Sequence, residues 1–381
     1  MIKGARATTQ ATPPPRGAAR DAEPRLFDLR GWMERHGLDA AYITRPVSIA
    51  YLTGFAADPH ERLMALVVRP DRATLIVPAL ERESAAAAAQ QVAIVAWRDG
   101  EEPYELVQDA LQSSARLGVE KEHLTVLAAE ALRARAGVKE FLDIAPEVRR
   151  LRRTKSEGEL ELLARASAIT DAAFEEAMRM GPGQSELAVG LSIGAAISAR
   201  GASLAFETLV QSGANSALPH HNPSGRLLQS GDLVLLDFGA AVEGYRADIT
   251  RMAVVGEPSA RQKEIHDLVL AAHDAAVEAV RAGVTTGDVD GAARRVIEAA
   301  GLGDRFFHRI GHGIGLEAHE DPSLDPGSAT MLEAGMVFTI EPGIYIPGWG
   351  GVRIEDDVVV EKSGCRVLTT ADRNLRIVGR A

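Results

Sequence analysis

LLDFGAAVEGYRADITR, residues 235–251, carries Asp237 and Asp248 in otherwise apolar surroundings. A buried carboxylate is costly unless it is paired or bound to metal. Two apolar runs flank Val242-Glu243-Gly244, which reads as a hairpin turn. The aspartates are symmetric about the midpoint between Val242 and Glu243. That symmetry predicts that they face each other across the ladder, with Cα atoms roughly 5 Å apart. Two bare carboxylates that close repel, and a shared cation removes the conflict.

A second acidic pair repeats the pattern. Glu341 lies in MVFTIEPGIYI and Glu355 in GVRIEDDVVV, symmetric about Gly348 in the turn Pro347-Gly348-Trp349-Gly350-Gly351. His312 sits in GHGIG, where glycines allow close backbone approach and positive φ. Taken singly, each residue has a bland explanation: a turn or capping Asp, a solvated strand Glu, a structural His. Two hairpins with paired acids, plus a glycine-bracketed His, instead predict a site for two divalent metal ions. GHGIGL lacks the strand–GxGxxG–helix setting of a dinucleotide loop.

The 381 residues, 46% hydrophobic and 25% charged, suit a soluble protein of two or three domains. A net charge of -11 argues against nucleic acid as a partner. The single cysteine, Cys365, excludes an internal disulfide, agrees with a reducing cytoplasm and reads as passive. There is no apolar run of about 18 residues, so no membrane-spanning helix is expected. Residues 1–24 are rich in Arg, Pro and Thr and lack the apolar core of a secretory signal. They read as a disordered extension.

Residues 25–150 form the expected amino-terminal α/β domain of three layers. LFDLRGWMERHGL has helical periodicity, and DAAYITR, YLTGF, ALVVR and TLIVP read as strands. The Ala-rich ESAAAAAQQ reads as a helix beside the sheet. The basic stretch Val148–Arg153 reads as a solvated linker. Thr154-Lys155-Ser156-Glu157 then reads as a capping box opening a helix through Met180. Ser185 caps a helix to about Arg200, FETLVQSG is a strand, and Asn215–Gly225 a polar loop. Helices are expected at Ser259–Arg281 and Gly287–Ala300, with His266 and His273 at the surface or an interface. Residues 151–381 are therefore an α+β domain, with helices around a curved antiparallel sheet.

In order and spacing, LLDFGAAVEGYRADITR, GHGIGLEAHEDP, FTIEPGIY and GVRIEDDVVV resemble the pita-bread metallopeptidases. That family comprises methionine aminopeptidase, aminopeptidase P, prolidase and the metal-free creatinase. The resemblance covers about residues 150–375, and YLTGFAADPHERLMALVV resembles the creatinase-like amino-terminal domain of bacterial Xaa-Pro dipeptidases. It implies that Asp237 holds the first metal, that Asp248 and Glu355 bridge both, and that His312 and Glu341 complete the second. A hydroxide between the ions is the implied nucleophile, and Glu341 the implied proton shuttle. His220 and His319 match the family's pocket histidines that bind the scissile carbonyl and the oxyanion. His308 matches a further pocket histidine, while His221 reads as a solvent-exposed neighbour. Arg353 is expected to steady the ligand carboxylates. Oxygen-rich ligands with one imidazole favour manganese or cobalt, with zinc a further option.

The implied activity is metal-dependent hydrolysis of Xaa-Pro dipeptides by a cytoplasmic homodimer, with no nucleic-acid or membrane partner. Two other readings compete: an aminopeptidase P acting on longer Xaa-Pro peptides, and a non-peptidase hydrolase or metal-free binding protein. Some prolidases bind the substrate carboxylate with an Arg between the second His and the next Glu. Glu320–Ile340 contains no Arg or Lys, so Arg45 or Arg62 is the expected source of that cation.

Overall fold

Ala40–Ile43 (β1), Ala65–Val68 (β2) and Ala73–Pro78 (β3) are buried along their whole length, so both faces of their sheet must be covered. With Ala93–Trp97 (β4), Arg116–Val119 (β5) and Glu140–Asp143 (β6), they form one six-stranded mixed sheet in the order β4-β3-β2-β1-β5-β6. Residues of one parity, Tyr42, Val67 and Ile76, pack with Val107, Leu111 and Leu132 of two helices, Pro103–Leu111 and Val126–Ala136. Residues of the other parity, Ile43, Leu66 and Leu75, are also buried. A computed structural model describes residues 21–379, and the part of the expected extension at 1–20 lies outside them. The first helix among the described residues, Ala22–Arg35, opens ahead of Arg25.

YLTGF is not a strand. Tyr51–Thr53 end a helix, Pro46–Thr53, closed by Gly54 in the left-handed region at φ 77°. Pro46 begins it after an extended Arg45, a favoured arrangement. The helix is buried from Ser48 to Thr53, and a helix apolar all round shows no stripe to set it apart from a strand.

The chain divides into two compact units between Val148 and Arg149. That division falls inside a helix, Ala145–Arg153, where a solvated linker was expected. Arg152 is buried and paired with Glu317 and Glu320, and Lys155 pairs with Glu320 at 2.8 Å. These basic residues serve the interior of the second unit. The capping box lies two residues later than predicted: Ser156 and Glu159 cap Glu157–Ala177 (α1), which stops short of Met180. Thr154 instead bridges Met336.

In the second unit, Leu233–Phe238 (β7) and Ile249–Val255 (β8) pair antiparallel between Leu209–Ser212 and Arg376–Val378. Strand alternation splits their side chains between two cores. Leu233, Leu235, Met252 and Val254 pack with Ala260–Ala279 (α2) and Thr286–Ala299 (α3). Val234, Leu236, Ile249 and Ala253 pack with α1 and the helix Glu186–Ser198, whose cap is Ser185. Helices thus cover both faces of a central sheet that is antiparallel except for the parallel edge strand Arg376–Val378, and Asp237 lies in register with the first set.

His266 and His273 correct a prediction, because both are buried. His266 Nε2 lies 3.0 Å from the Arg373 carbonyl, and His273 Nε2 lies 2.9 Å from Asp356 Oδ2. Partners far along the chain let α2 bury a wider stripe than its apolar residues define. No helix among the described residues is long and apolar enough to cross a membrane.

Candidate metal centre

Two hairpins build the site. In the first, Asp237 pairs with Thr250, not with Asp248. The turn is the two-residue Glu243-Gly244, with φ of 51° and 88°. A two-residue turn of this kind needs positive φ at both positions, which leaves Val242 in the ladder against Tyr245. The centre therefore moves towards the carboxy terminus and Asp248 leaves the ladder. Its backbone N–H donates to Asp357 Oδ2 at 2.9 Å, and it still enters the same cavity as Asp237.

The second hairpin keeps the predicted register throughout. Val337–Ile340 (β9) pairs with Asp356–Glu361 (β10), and Gly343–Ile346 (β11) with Gly350–Arg353 (β12). Ile340 opposes Asp356 and Gly343 opposes Arg353, which sets Glu341 against Glu355 at the break between the two ladders. Gly348 has φ 77° in the turn.

The hairpins are sewn together at Thr250. Glu355 N–H donates to the Thr250 carbonyl at 3.1 Å, and Thr250 Oγ1 donates to Glu355 Oε2 at 2.6 Å. Arg353 completes the seam. It donates to Asp237 Oδ2, to Thr250 Oγ1 at 2.9 Å and to the Tyr345 hydroxyl at 3.0 Å. Arg353 thus steadies Asp237 directly and reaches Glu355 chiefly through Thr250.

His312 arrives by close backbone approach. A Cβ on Gly311 would stand 1.9 Å from the Thr339 carbonyl oxygen, and one on Gly313 2.2 Å from that of Asp321. Neither glycine needs a positive φ; only the missing side chain matters. His312 Nε2 then lies 3.3 Å from Glu341 Oε1. Donor atoms of Asp248, His312 and Glu355 all lie within 4.8 Å of one another.

The electrostatics suit a site that binds positive charge. Burial, then Glu355 and Asp237, push the Asp248 carboxyl well up. Burial, then Glu341 and Asp237, do the same to Glu355. Burial pushes Glu341 up to about 7, and raises Asp237 despite the guanidinium of Arg353. Burial and the neighbouring His319 push His312 down to about 3, so its ring is neutral and fit to ligate. Asp248 Oδ1 is buried without a hydrogen-bond partner. Acids this crowded, one with an orphaned oxygen, fit divalent cations held by carboxylate and imidazole.

Asp237, Asp248, His312, Glu341 and Glu355 line one cavity of about 650 Å³ together with His220, His308, His319 and Arg353. The His319 ring lies tilted against that of His312, with centroids 4.0 Å apart. His308 Nε2 lies 3.0 Å from the Tyr345 hydroxyl, and burial pushes its pKa down to about 4. His221 is absent from the lining; it lies 3.8 Å from buried Glu186. Phe206, Leu209, Pro219, Phe307 and Tyr345 supply the apolar wall. Three participants escaped sequence reasoning: Thr250, Tyr345 and Arg309. Arg45 pairs with Glu122 at 3.0 Å and Arg62 with Asp99 at 2.9 Å, so neither is an uncommitted cation.

The family model for metallopeptidase family M24 matches residues 161–362, and that for the creatinase/prolidase N-terminal domain matches residues 25–154. The chain is 38% identical to a Xaa-Pro dipeptidase of Lactobacillus delbrueckii subsp. lactis over 93% of its own length and 98% of the relative's. Its structure is similar to that of a Xaa-Pro dipeptidase from Bacillus anthracis, at TM-score 0.89 and 37% identity, covering 94% of this chain and 100% of the other. It is also similar to an X-Pro aminopeptidase from Thermotoga maritima, at TM-score 0.84 and 33% identity, covering 91% and 100%. With its paired acidic hairpins and these relatives, the chain belongs to metallopeptidase family M24, its catalytic pita-bread domain preceded by a creatinase/prolidase amino-terminal domain.

Proposed function

We propose that this metallopeptidase-family enzyme hydrolyses the Xaa-Pro bond of dipeptides. One observation carries the reading: four carboxylates, two of them buried and two nearly so, and a neutral His open into a cavity that also offers an apolar wall. A proline ring suits that wall, and the relatives named Xaa-Pro dipeptidase match nearly the whole chain.

Asp237, Asp248, His312, Glu341 and Glu355 would hold two divalent ions. Bound there, the ions supply positive charge that lowers the pKa of water and polarises the scissile carbonyl. The rest falls to the chain. Glu341 takes a proton from the attacking water and delivers it to the departing proline nitrogen. His319 and His220 donate hydrogen bonds to the oxygen that becomes negative in the transition state. His319 is held neutral by burial, so it has one N–H to give. Tyr345, fixed by Arg353 and His308, presents its ring to the substrate. The Arg353–Thr250 pair keeps Asp237 and Glu355 in place.

We read the ions as manganese, the compartment as a reducing cytoplasm, in keeping with the free Cys365, and the assembly as a homodimer. A second reading, release of the first residue from longer Xaa-Pro peptides, is favoured by the likeness to the Thermotoga maritima enzyme. The test is hydrolysis of a Xaa-Pro dipeptide against a Xaa-Pro-Yaa tripeptide after chelation and Mn²⁺ readdition. Dipeptide cleavage alone is expected. Cleavage of the tripeptide overturns it in favour of the second reading.

A further inference from the structure

A dipeptide brings a free carboxylate into the cavity, and a carboxylate leaving water needs a cation. Two guanidinium groups line that cavity, Arg309 and Arg353. Arg353 is buried and committed to Asp237, Thr250 and Tyr345. Arg309 makes no ion pair among the described residues; its Nη1 donates to Ser323 Oγ at 2.8 Å. A guanidinium carries five N–H donors in a planar fork, so this one bond leaves an edge for a two-point carboxylate contact.

We propose that Arg309 receives the carboxylate of the Xaa-Pro dipeptide, with Ser323 fixing the angle of its fork. The assignment rests on the dipeptidase reading. It makes Arg309 a specificity residue, one that distinguishes a chain end from a continuing peptide.

Position supports it. Arg309 follows Phe307 and His308 along the cavity wall, and the next residue, Ile310, accepts the Glu341 N–H at 2.8 Å. The carboxylate anchor and the proton shuttle thus share one short backbone connection. Phe307, 63% exposed, stands at the rim beside it and offers a face for the pyrrolidine ring. Ser323 fits a steering role because its strand, Glu320–Ser323, pairs with His312. That pairing fixes the hydroxyl relative to a metal ligand. Arg309 also answers the absence of Arg and Lys from Glu320–Ile340.

The experiment uses the full-length, Mn²⁺-loaded protein and two substrates, Ala-Pro and Ala-Pro amide, with kcat and KM measured for each. Wild type is expected to prefer the free acid. In Arg309→Ala the preference for acid over amide should fall roughly 10–100-fold, through KM for the acid. Arg309→Lys should restore part of it, since lysine keeps the charge but not the fork. Bound metal equal to wild type in both variants separates this effect from damage to the centre. An unchanged acid-to-amide ratio in Arg309→Ala overturns the assignment and leaves the dipeptidase reading standing. A wild type that cleaves acid and amide equally also overturns it, because no carboxylate is then being read. A wild type inert to both overturns the dipeptidase reading and the assignment together.

Discussion

Glu355 and Asp356 are consecutive and equally buried, yet their carboxyls are driven in opposite directions. Burial opposes ionisation of Asp356, but Arg251, His273 and Arg373 outweigh it and hold the group far below the usual carboxylate range. Arg251 donates to Oδ1 at 2.7 Å, as does Thr369, and Arg373 donates to Oδ2. Glu355, on the other face of the strand, has Thr250 at 2.6 Å and Arg353 only at 3.9 Å. Burial, Glu341 and Asp237 therefore push it up. The same residue chemistry gives a finished ion cluster on one side of the strand and an open one on the other. A buried acid with protein cations serves the fold, and a buried acid without them awaits a cation from solution.

The sharpest way to break this comparison is to neutralise each neighbour in turn. Glu355→Gln should lower activity by at least roughly 10³-fold, more than the loss of one transition-state donor. Bound metal should fall with it, while the metal-free protein keeps or gains stability. Elemental analysis and urea unfolding of that variant check both parts, and full metal content would contradict the first. Asp356→Asn should do the reverse, costing about 3–5 kcal/mol of folding stability because it strands buried cations. The protein that remains folded should still load metal.

Metal removal comes next. In the chelated protein, Asp237, Asp248, Glu341 and Glu355 all have folded pKa values above their unfolded ones. Each such group contributes stability that is present below its unfolded pKa of about 4 and lost as pH rises through the folded value. For Glu341 that value is about 7. The chelated protein should thus lose stability between about pH 4 and pH 7. Mn²⁺ should raise Tm more at pH 7.5 than at pH 5.5, as differential scanning calorimetry at both pH values would reveal. At 100 times its Kd, one bound ion stabilises by about 2.7 kcal/mol.

Glu320 sharpens the contrast from the other side. Burial opposes its charge, but Lys155 and Arg152 hold the carboxyl below the usual range. Its contribution is present above an unfolded pKa of about 4.3 and lost as pH falls through the lower folded value. Glu320→Gln should therefore destabilise the protein at pH 7 and matter progressively less as pH falls in urea titrations. The smallest effect is expected from Tyr345→Phe. It removes one hydrogen bond each from Arg353 and His308 and should slow turnover by about 10-fold with metal content intact.

The sequence discloses local features of this molecule far better than distant ones. The register of the second hairpin was legible because one symmetry about Gly348 runs unbroken from Val337–Val359 to Ile346–Gly350. The first hairpin was read off-centre because the φ demands of Glu243-Gly244 outrank the symmetry of the acids. Every predicted ligand still reaches the cavity, since the side-chain types alone require a common partner. Thr250, Tyr345 and Arg309 were not legible. Thr250 acts on Glu355 105 residues away, and nothing nearby in the chain marks it. Arg309 had one signal, its place between His308 and His312. His266 and His273 misled for the same reason: their partners Arg373 and Asp356 come about a hundred residues later.

The seam between Thr250 and Glu355 has a consequence for how the enzyme comes into being. A ribosome that has released the chain only as far as Thr250 has made two of the five ligands, and no shorter piece contains the set. Closing so long a loop costs chain entropy before any contact repays it. Ion capture therefore waits on completed tertiary structure, and the metal acts as a late fastener, not as a nucleus. A chain that has not reached Glu355 lacks part of the set, so hydrolytic power can appear only once that residue has been made and folded into place.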